Sequence, residues 1–150
     1  MRILGVDFGQ RRIGLAISDD TALVARPWQT LAAGPRPEVS AAAVAQLVTN
    51  AGDLGPIGAI VVGLPRRLNG TDTDQSEPAR AFARSLESLT GLGVHLQDER
   101  LSSHEAESRL AVREKDWRKR KAQLDAAAAA VILQDYLDER ARRAPASSTD

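Results

Sequence analysis

Residues 2–18, RILGVDFGQRRIGLAIS, restrict the fold more than any other part of the chain. ILGV is a short, unbroken apolar run, as in a buried strand. RRIGLAIS alternates instead. Ile13, Leu15 and Ile17 fall on one face and Arg12, Gly14, Ala16 and Ser18 on the other, the period of a half-buried strand. Only Phe8-Gly9-Gln10-Arg11 separates the two, a hairpin-length connection in which Gly9 can supply a positive φ. The first run ends on Asp7. A carboxylate there either opens the turn or has a chemical task.

The rest of the chain builds outward from this hairpin. ALVARPWQTL, 22–31, reads as a third strand, and Pro27 makes it an edge or bulged one. Residues 35–50 place Val39, Ala43, Leu47 and Val48 at helical spacing. AIVVGLP, 59–65, is a β-branched run suited to a strand covered on both faces. RRLNGTDTDQS is a polar loop with an Asn-Gly turn signal. A helix is predicted at about 76–90, with Phe82, Leu86 and Leu89 inward. Gly91 and Gly93 break it, and VHLQ, 94–97, is a short strand. LSSHEAESRLAV opens a further helix with Ser102 as N-cap and Glu105 completing a capping box. REKDWRKRK is a charged connector, and QLDAAAAAVILQDYLDER is a strong helix. The order βββαβαβαα implies an α/β fold, a mixed five-stranded sheet flanked by helices. Residues 1–140 form one domain, and 141–150 read as a disordered tail.

Composition narrows the classes of function. The 150 residues suffice for a core without staples, and there is no cysteine, which removes disulfides and thiolate chemistry and fits a reducing cytoplasm. No stretch reaches the ~18 apolar residues of a membrane span. Twenty basic and twenty acidic residues cancel, so only local runs speak to nucleic acid. Residues 113–121 carry six positive and two negative charges, net +4. The dense part, Trp117, Arg118, Lys119, Arg120 and Lys121, is either a solvated loop or a contact to a nucleic-acid backbone. Trp117 either stacks on a base or anchors the loop.

Three acids stand at unusual places: Asp7 at a strand end, Glu99 just past VHLQ, and Asp125 ahead of five alanines. Each has a plain reading: a turn former, a loop acid paired with Arg100, a first-turn acid complementing the helix dipole. At 3.6 residues per turn, however, Asp125 shares a face with Ala128, Ala129 and Ile132, and small alanines permit close packing on the sheet. Were the three to converge, each like-charge pair at ~4 Å would cost ~4 kcal/mol at an effective dielectric of ~20. Three such pairs rival the ~5–15 kcal/mol stability of a domain. Such a cluster needs a divalent cation, protonation or separation. Mg2+ or Mn2+ suits oxygen ligands, and paired ions can clamp a phosphodiester. Gly5 and Gly9 would let a backbone come close, and Arg11 and Arg12 either hold phosphate oxygens or point to solvent. His95 and His104 read as ordinary strand and helix residues. Asp72 and Asp74 read as caps of the next helix or as further acids for the site.

VDFGQRRIGLAISD, VVGLPRRLNGTDTDQS, DERLSSHEAE and KAQLDAAAAAVILQDYLDE, in that order over residues 2–139, resemble the YqgF/RuvX family, the Holliday-junction-resolvase-like pre-16S rRNA nucleases. The resemblance implies an RNase H-like fold, a cytoplasmic bacterial protein, processing of the 5′ end of pre-16S rRNA, and an acidic site of Asp7, Glu99 and Asp125. Ser102-Ser103 depart from the Thr-Thr usual after DERL, and the hydroxyls survive. The expected activity is a metal-dependent endonuclease on structured nucleic acid, with a junction-type DNA resolvase or a non-catalytic RNA-binding maturation factor as alternatives. The hairpin after Asp7 also resembles the phosphate-binding hairpin of actin-like and sugar kinases, but this chain has about half their length and no second such strand opening. The partner is pre-rRNA or branched DNA, with no membrane, and a monomer and a homodimer are both open.

Overall fold

The computed structural model describes residues 1–52, 55–99 and 117–143, with side chains from residue 123 onward in the last segment. Strands β1 (Arg2–Phe8), β2 (Arg12–Ser18) and β3 (Ala25–Ala32) are followed by α1 (Pro37–Thr49), β4 (Ile57–Pro65), α2 (Ser76–Thr90), β5 (Gly93–Glu99) and a long helix α3 (Trp117–Arg143). The predicted helix beginning LSSHEAE, with Ser102, His104 and Glu105, lies outside the described residues. So do residues 144–150 of the expected tail. Arg142 and Arg143 belong to α3.

The five strands form one sheet in the order β3-β2-β1-β4-β5. β1–β2 and β2–β3 are antiparallel, whereas β1–β4 and β4–β5 are parallel. The meander arises because its connections are too short for a crossover, and the parallel half because α1 and α2 carry the chain back. β3 lies at the edge, and its register slips opposite Leu15/Ala16, beside Pro27. That is where a residue without an N–H belongs.

The two faces of the sheet are covered differently. On one, Leu4, Val6, Ile13, Leu15, Ile17, Ile60 and Val62 pack with Ala41 and Val44 of α1 and Phe82, Ala83 and Leu86 of α2. On the other, Ile3, Ala16 and Val61 meet Ala129, Ile132, Leu133 and Leu137 of α3. β2 is therefore covered on both faces, not half-buried: Gly14 and Ala16 are small where α3 packs against them, and the buried Ser18 hydroxyl accepts from the Ile3 N–H. Gln134 fixes that helix against the edge strand, accepting from the Ala25 N–H at 2.8 Å and donating to the Leu23 carbonyl at 3.0 Å.

Several local expectations are corrected. On α2 the buried stripe is Ala79, Phe82, Ala83 and Leu86, while Leu89 is 57% exposed. On α1 it is Ser40, Ala41 and Val44, with Val39 and Ala43 outward, since an alanine-rich helix carries little contrast between faces. β5 runs two residues beyond VHLQ, so Glu99 is its last residue rather than a loop acid. Gly9 has no positive φ; a Cβ there would lie 2.7 Å from the Arg12 carbonyl oxygen, to which its own N–H donates across the hairpin. Gly91 does cap α2 in the left-handed region, at φ 70°.

Candidate functional site

Strand alternation puts Ile3, Gly5 and Asp7 of β1 on the face covered by α3. Asp7 stands opposite Gly14 of β2, one step along the same face from Arg12. On the other side of β1, Pro65 of β4 pairs with Glu99, which brings a second carboxylate to the same end of the sheet. α3 then lays Asp125 over Gly14. A Cβ at Gly14 would overlap the Asp125 carbonyl oxygen outright, and one at Gly5 would sit 2.7 Å from the Leu133 Cβ. The missing side chains are thus what lets the helix, and its aspartate, come down onto the strands. Gly5 admits this helix and not a ligand. Gly63 does the same between Ile132, 2.6 Å from its Cβ position, and the Glu99 carboxylate at 3.2 Å.

Asp7, Glu99 and Asp125 line one open cleft of about 500 Å³, together with Arg11, Arg12 and Arg66. Burial, reinforced by the Asp125 charge, pushes Asp7 up from 3.8 to about 6. Burial again, reinforced by the Asp7 charge, pushes Glu99 up from 4.5 to about 8. Both groups therefore resist ionisation, first because burial disfavours the charged form and then because a second carboxylate lies close by. The Oδ2 of Asp125 receives the Arg12 Nε–H at 2.5 Å.

The donor set suits a hard divalent cation: three carboxylates, all oxygen, two of them under electrostatic stress that a cation relieves. They do not stand as a finished cage. Among the described residues no three of His, Cys, Asp and Glu are grouped closely enough to hold a metal ion. Asp125 is turned to Arg12, so a bound cation would have to compete with that guanidinium.

The remaining predicted residues fall as follows. Arg11 is exposed at the cleft, and Arg12 is partly buried there. Trp117, Arg118, Lys119, Arg120 and Lys121 form the first turns of α3 rather than a connector, and their side chains lie outside the described residues. Asp125 is two turns into the helix, which removes its reading as a first-turn acid. Asp72 is not a helix cap: it takes two hydrogen bonds from Arg80, at 2.7 and 3.1 Å, and an ion pair from Arg66. Neither Asp72 nor Asp74 lies at the N-cap of α2, which is Gln75, and neither lines the cleft. His95 stacks on Tyr136 with ring centroids 5.5 Å apart. Sequence reasoning missed Gly14, Gly63, Arg66 and Gln75. The glycines at alternate positions facing the alanine run were the available signal. Arg66 and Gln75 had none, since they reach the cleft only through the β4–α2 connection.

The RuvX family model, described as Holliday junction resolvase, matches residues 1–139. A protein of Anaeromyxobacter dehalogenans (strain 2CP-1) named "Putative pre-16S rRNA nuclease" is 45% identical over 94% of this chain and 99% of its own length. One of the same name from Pelotomaculum thermopropionicum is 39% identical over 95% of this chain and 90% of its own. Among solved structures, the fowlpox virus resolvase bound to Holliday junction DNA superposes with a TM-score of 0.58 at 13% identity, covering 93% of this chain and 99% of that one. RuvC of Thermus thermophilus with its junction substrate gives 0.51 at 16%, covering 94% and 96%. At these identities the likeness establishes the RNase H-like fold.

Proposed function

The chain belongs to the RuvX family, and from that premise we propose that it is a divalent-metal-dependent endonuclease that hydrolyses phosphodiester bonds in structured RNA, its substrate being the 5′ end of pre-16S rRNA. The observation that carries this reading is the meeting of Asp7, Glu99 and Asp125 in one cleft with arginines around them. The relatives' names point to RNA, and their identity extends over nearly the whole chain.

Asp7, Glu99 and Asp125 would hold Mg2+ or Mn2+. The cation, when bound, supplies Lewis acidity and a nucleophilic water at neutral pH. The protein's own part is to position and to desolvate. β1 and β5 fix two carboxylates at the sheet end, α3 fixes the third, and partial burial keeps both strand acids short of full ionisation until positive charge arrives. Cation binding is then coupled to proton release from Asp7 and Glu99. Arg12 holds Asp125 in place, and Arg11, exposed at the rim, meets the phosphate backbone. No helix among the described residues is long and apolar enough to cross a membrane, and we place the activity in the cytoplasm, where its RNA is made.

The test is a cleavage panel with Mg2+ or Mn2+: RNA carrying the mature 5′ end with upstream leader, against four-way junction DNA, mapped to the nucleotide. Cleavage of the RNA that Asp7→Asn abolishes supports the proposal. Equal cutting by Asp7→Asn removes the site, and preferential junction cutting removes the substrate.

A further inference from the structure

Of the three arginines at the cleft, Arg66 is placed least like a structural residue. Its backbone N–H donates to the Glu99 carbonyl at 3.1 Å, so its position is tied to one of the three acids. It also forms an isolated β-bridge with Asp72, which closes the neck of the 66–72 hairpin. The side chain is 31% exposed and borders the cleft. Its Nε is buried and makes no hydrogen bond. Two carboxylates flank it, Asp72 and Asp98, each with an oxygen 3.6 Å from that nitrogen. At 3.6 Å the attraction is Coulombic, and a hydrogen bond is not formed. Asp72 has already committed both oxygens to Arg80.

A guanidinium has five donors and no acceptor, and its fork matches the geometry of a phosphate. Arg12 has given its Nε to Asp125. Arg66, by contrast, is held in position by charge and, among the described residues, makes no side-chain hydrogen bond, at the edge of an open cleft whose other charged groups are acids and arginines. The Nε faces Asp72 and Asp98 and is closed to solvent, so it is the exposed part of the side chain, at the cleft, that a phosphate oxygen would meet.

We propose that Arg66, in addition to Arg11 at the rim, binds a phosphate of the RNA strand beside the acidic site, with Asp72 and Asp98 positioning its guanidinium. This rests on the nuclease reading above for its ligand, an RNA backbone, and is tested separately from cleavage. Binding of a fluorescein-labelled RNA hairpin is followed by anisotropy in the Asp7→Asn background, without divalent cation, over a series of salt concentrations. Arg66→Gln is expected to raise the Kd about 10-fold and to lower the slope of log Kd against log salt by about 0.7–0.9, the loss of one phosphate contact. Arg66→Lys keeps the charge but not the fork, so it is expected to retain the slope and lose about 3-fold in affinity. Unchanged melting temperatures guard against misfolding, and Arg66→Lys, which preserves both ion pairs, stands in if Arg66→Gln melts early. A Kd within 2-fold and an unaltered slope for both variants would overturn the proposal, whatever the wild type cleaves. A wild type that binds this RNA through Arg66 but never cuts it would sink the nuclease reading and leave the phosphate contact standing.

Discussion

The α1–α2 face and the α3 face of the sheet solve different problems with the same strands. The first is filled by large aliphatic residues and Phe82, whose ring stacks on Phe8 at 4.5 Å between centroids. Its contribution is apolar area removed from water, at about 25 cal/mol per Å². The second is built from absences. Gly5, Gly14 and Gly63 carry no side chain, so α3 rests nearly on the backbone and delivers Asp125 to Asp7 and Arg12. Both faces bury apolar side chains, but the α3 face gives up side-chain volume at Gly5, Gly14 and Gly63 to bring charge to a fixed place.

Asp7→Asn should separate these roles most sharply. We expect RNA cleavage to fall by about 10³-fold, near 4 kcal/mol of barrier at 1.36 kcal/mol per decade. At pH 8 the metal-free melting temperature should hold or rise, because a carboxylate strained by burial and by Asp125 is removed. A cleavage defect matched by a stability loss would mean that Asp7 is a structural residue.

Paired substitutions on the two faces come next. Leu86 is fully buried, so Leu86→Ala leaves a cavity under α2 and should cost about 2–5 kcal/mol in urea unfolding, with kcat of the folded fraction unchanged. Gly14→Ala forces a methyl into the Asp125 backbone, and overpacking of this kind costs about 1–3 kcal/mol or more. It should lower both the urea midpoint and kcat, because moving α3 moves Asp125. If Gly14→Ala kept full activity, the close approach would have no part in placing the acid.

The acids set the pH response. Asp7 and Glu99 have folded-state values above their unfolded ones, so the folded chain binds more protons between about pH 4 and pH 8. Its stability therefore falls as pH rises through that window. Moving an aspartate from 3.8 to about 6 is worth up to about 3 kcal/mol, reduced by solvent in the cleft. The metal-free melting temperature should drop between pH 5.5 and pH 8. Mn2+ at about 100 times its Kd should add about 2.7 kcal/mol at pH 8 and much less at pH 5.5, where protons compete for the same oxygens. An equal gain at both pH values would place the ion elsewhere.

The same contrast between faces explains how much was legible in the sequence. Element order, the mixed sheet and the edge position of β3 follow from period, turn chemistry and Pro27, which act locally. The grouping of Asp7, Glu99 and Asp125 at one cleft could be suspected because each breaks a local pattern. Arg66 and Gln75 could not, since a loop determines where they point. Helix faces were legible only where contrast exists, and even on α2 the last turn misled: Leu89 continues the apolar series but is exposed, while Ala79 and Ala83 complete the buried stripe at i, i+4. This yields the smallest effect. Leu89→Ser, at a 57% exposed position, should change unfolding free energy by less than about 0.5 kcal/mol and leave cleavage untouched. Leu86→Ser, three residues earlier and fully buried, should lose more than Leu86→Ala, because a hydroxyl is buried along with the cavity. If instead Leu89→Ser proved as costly as Leu86→Ser, the last turn of α2 would be packed against something in solution, and the α1–α2 face would extend further than these contacts reach.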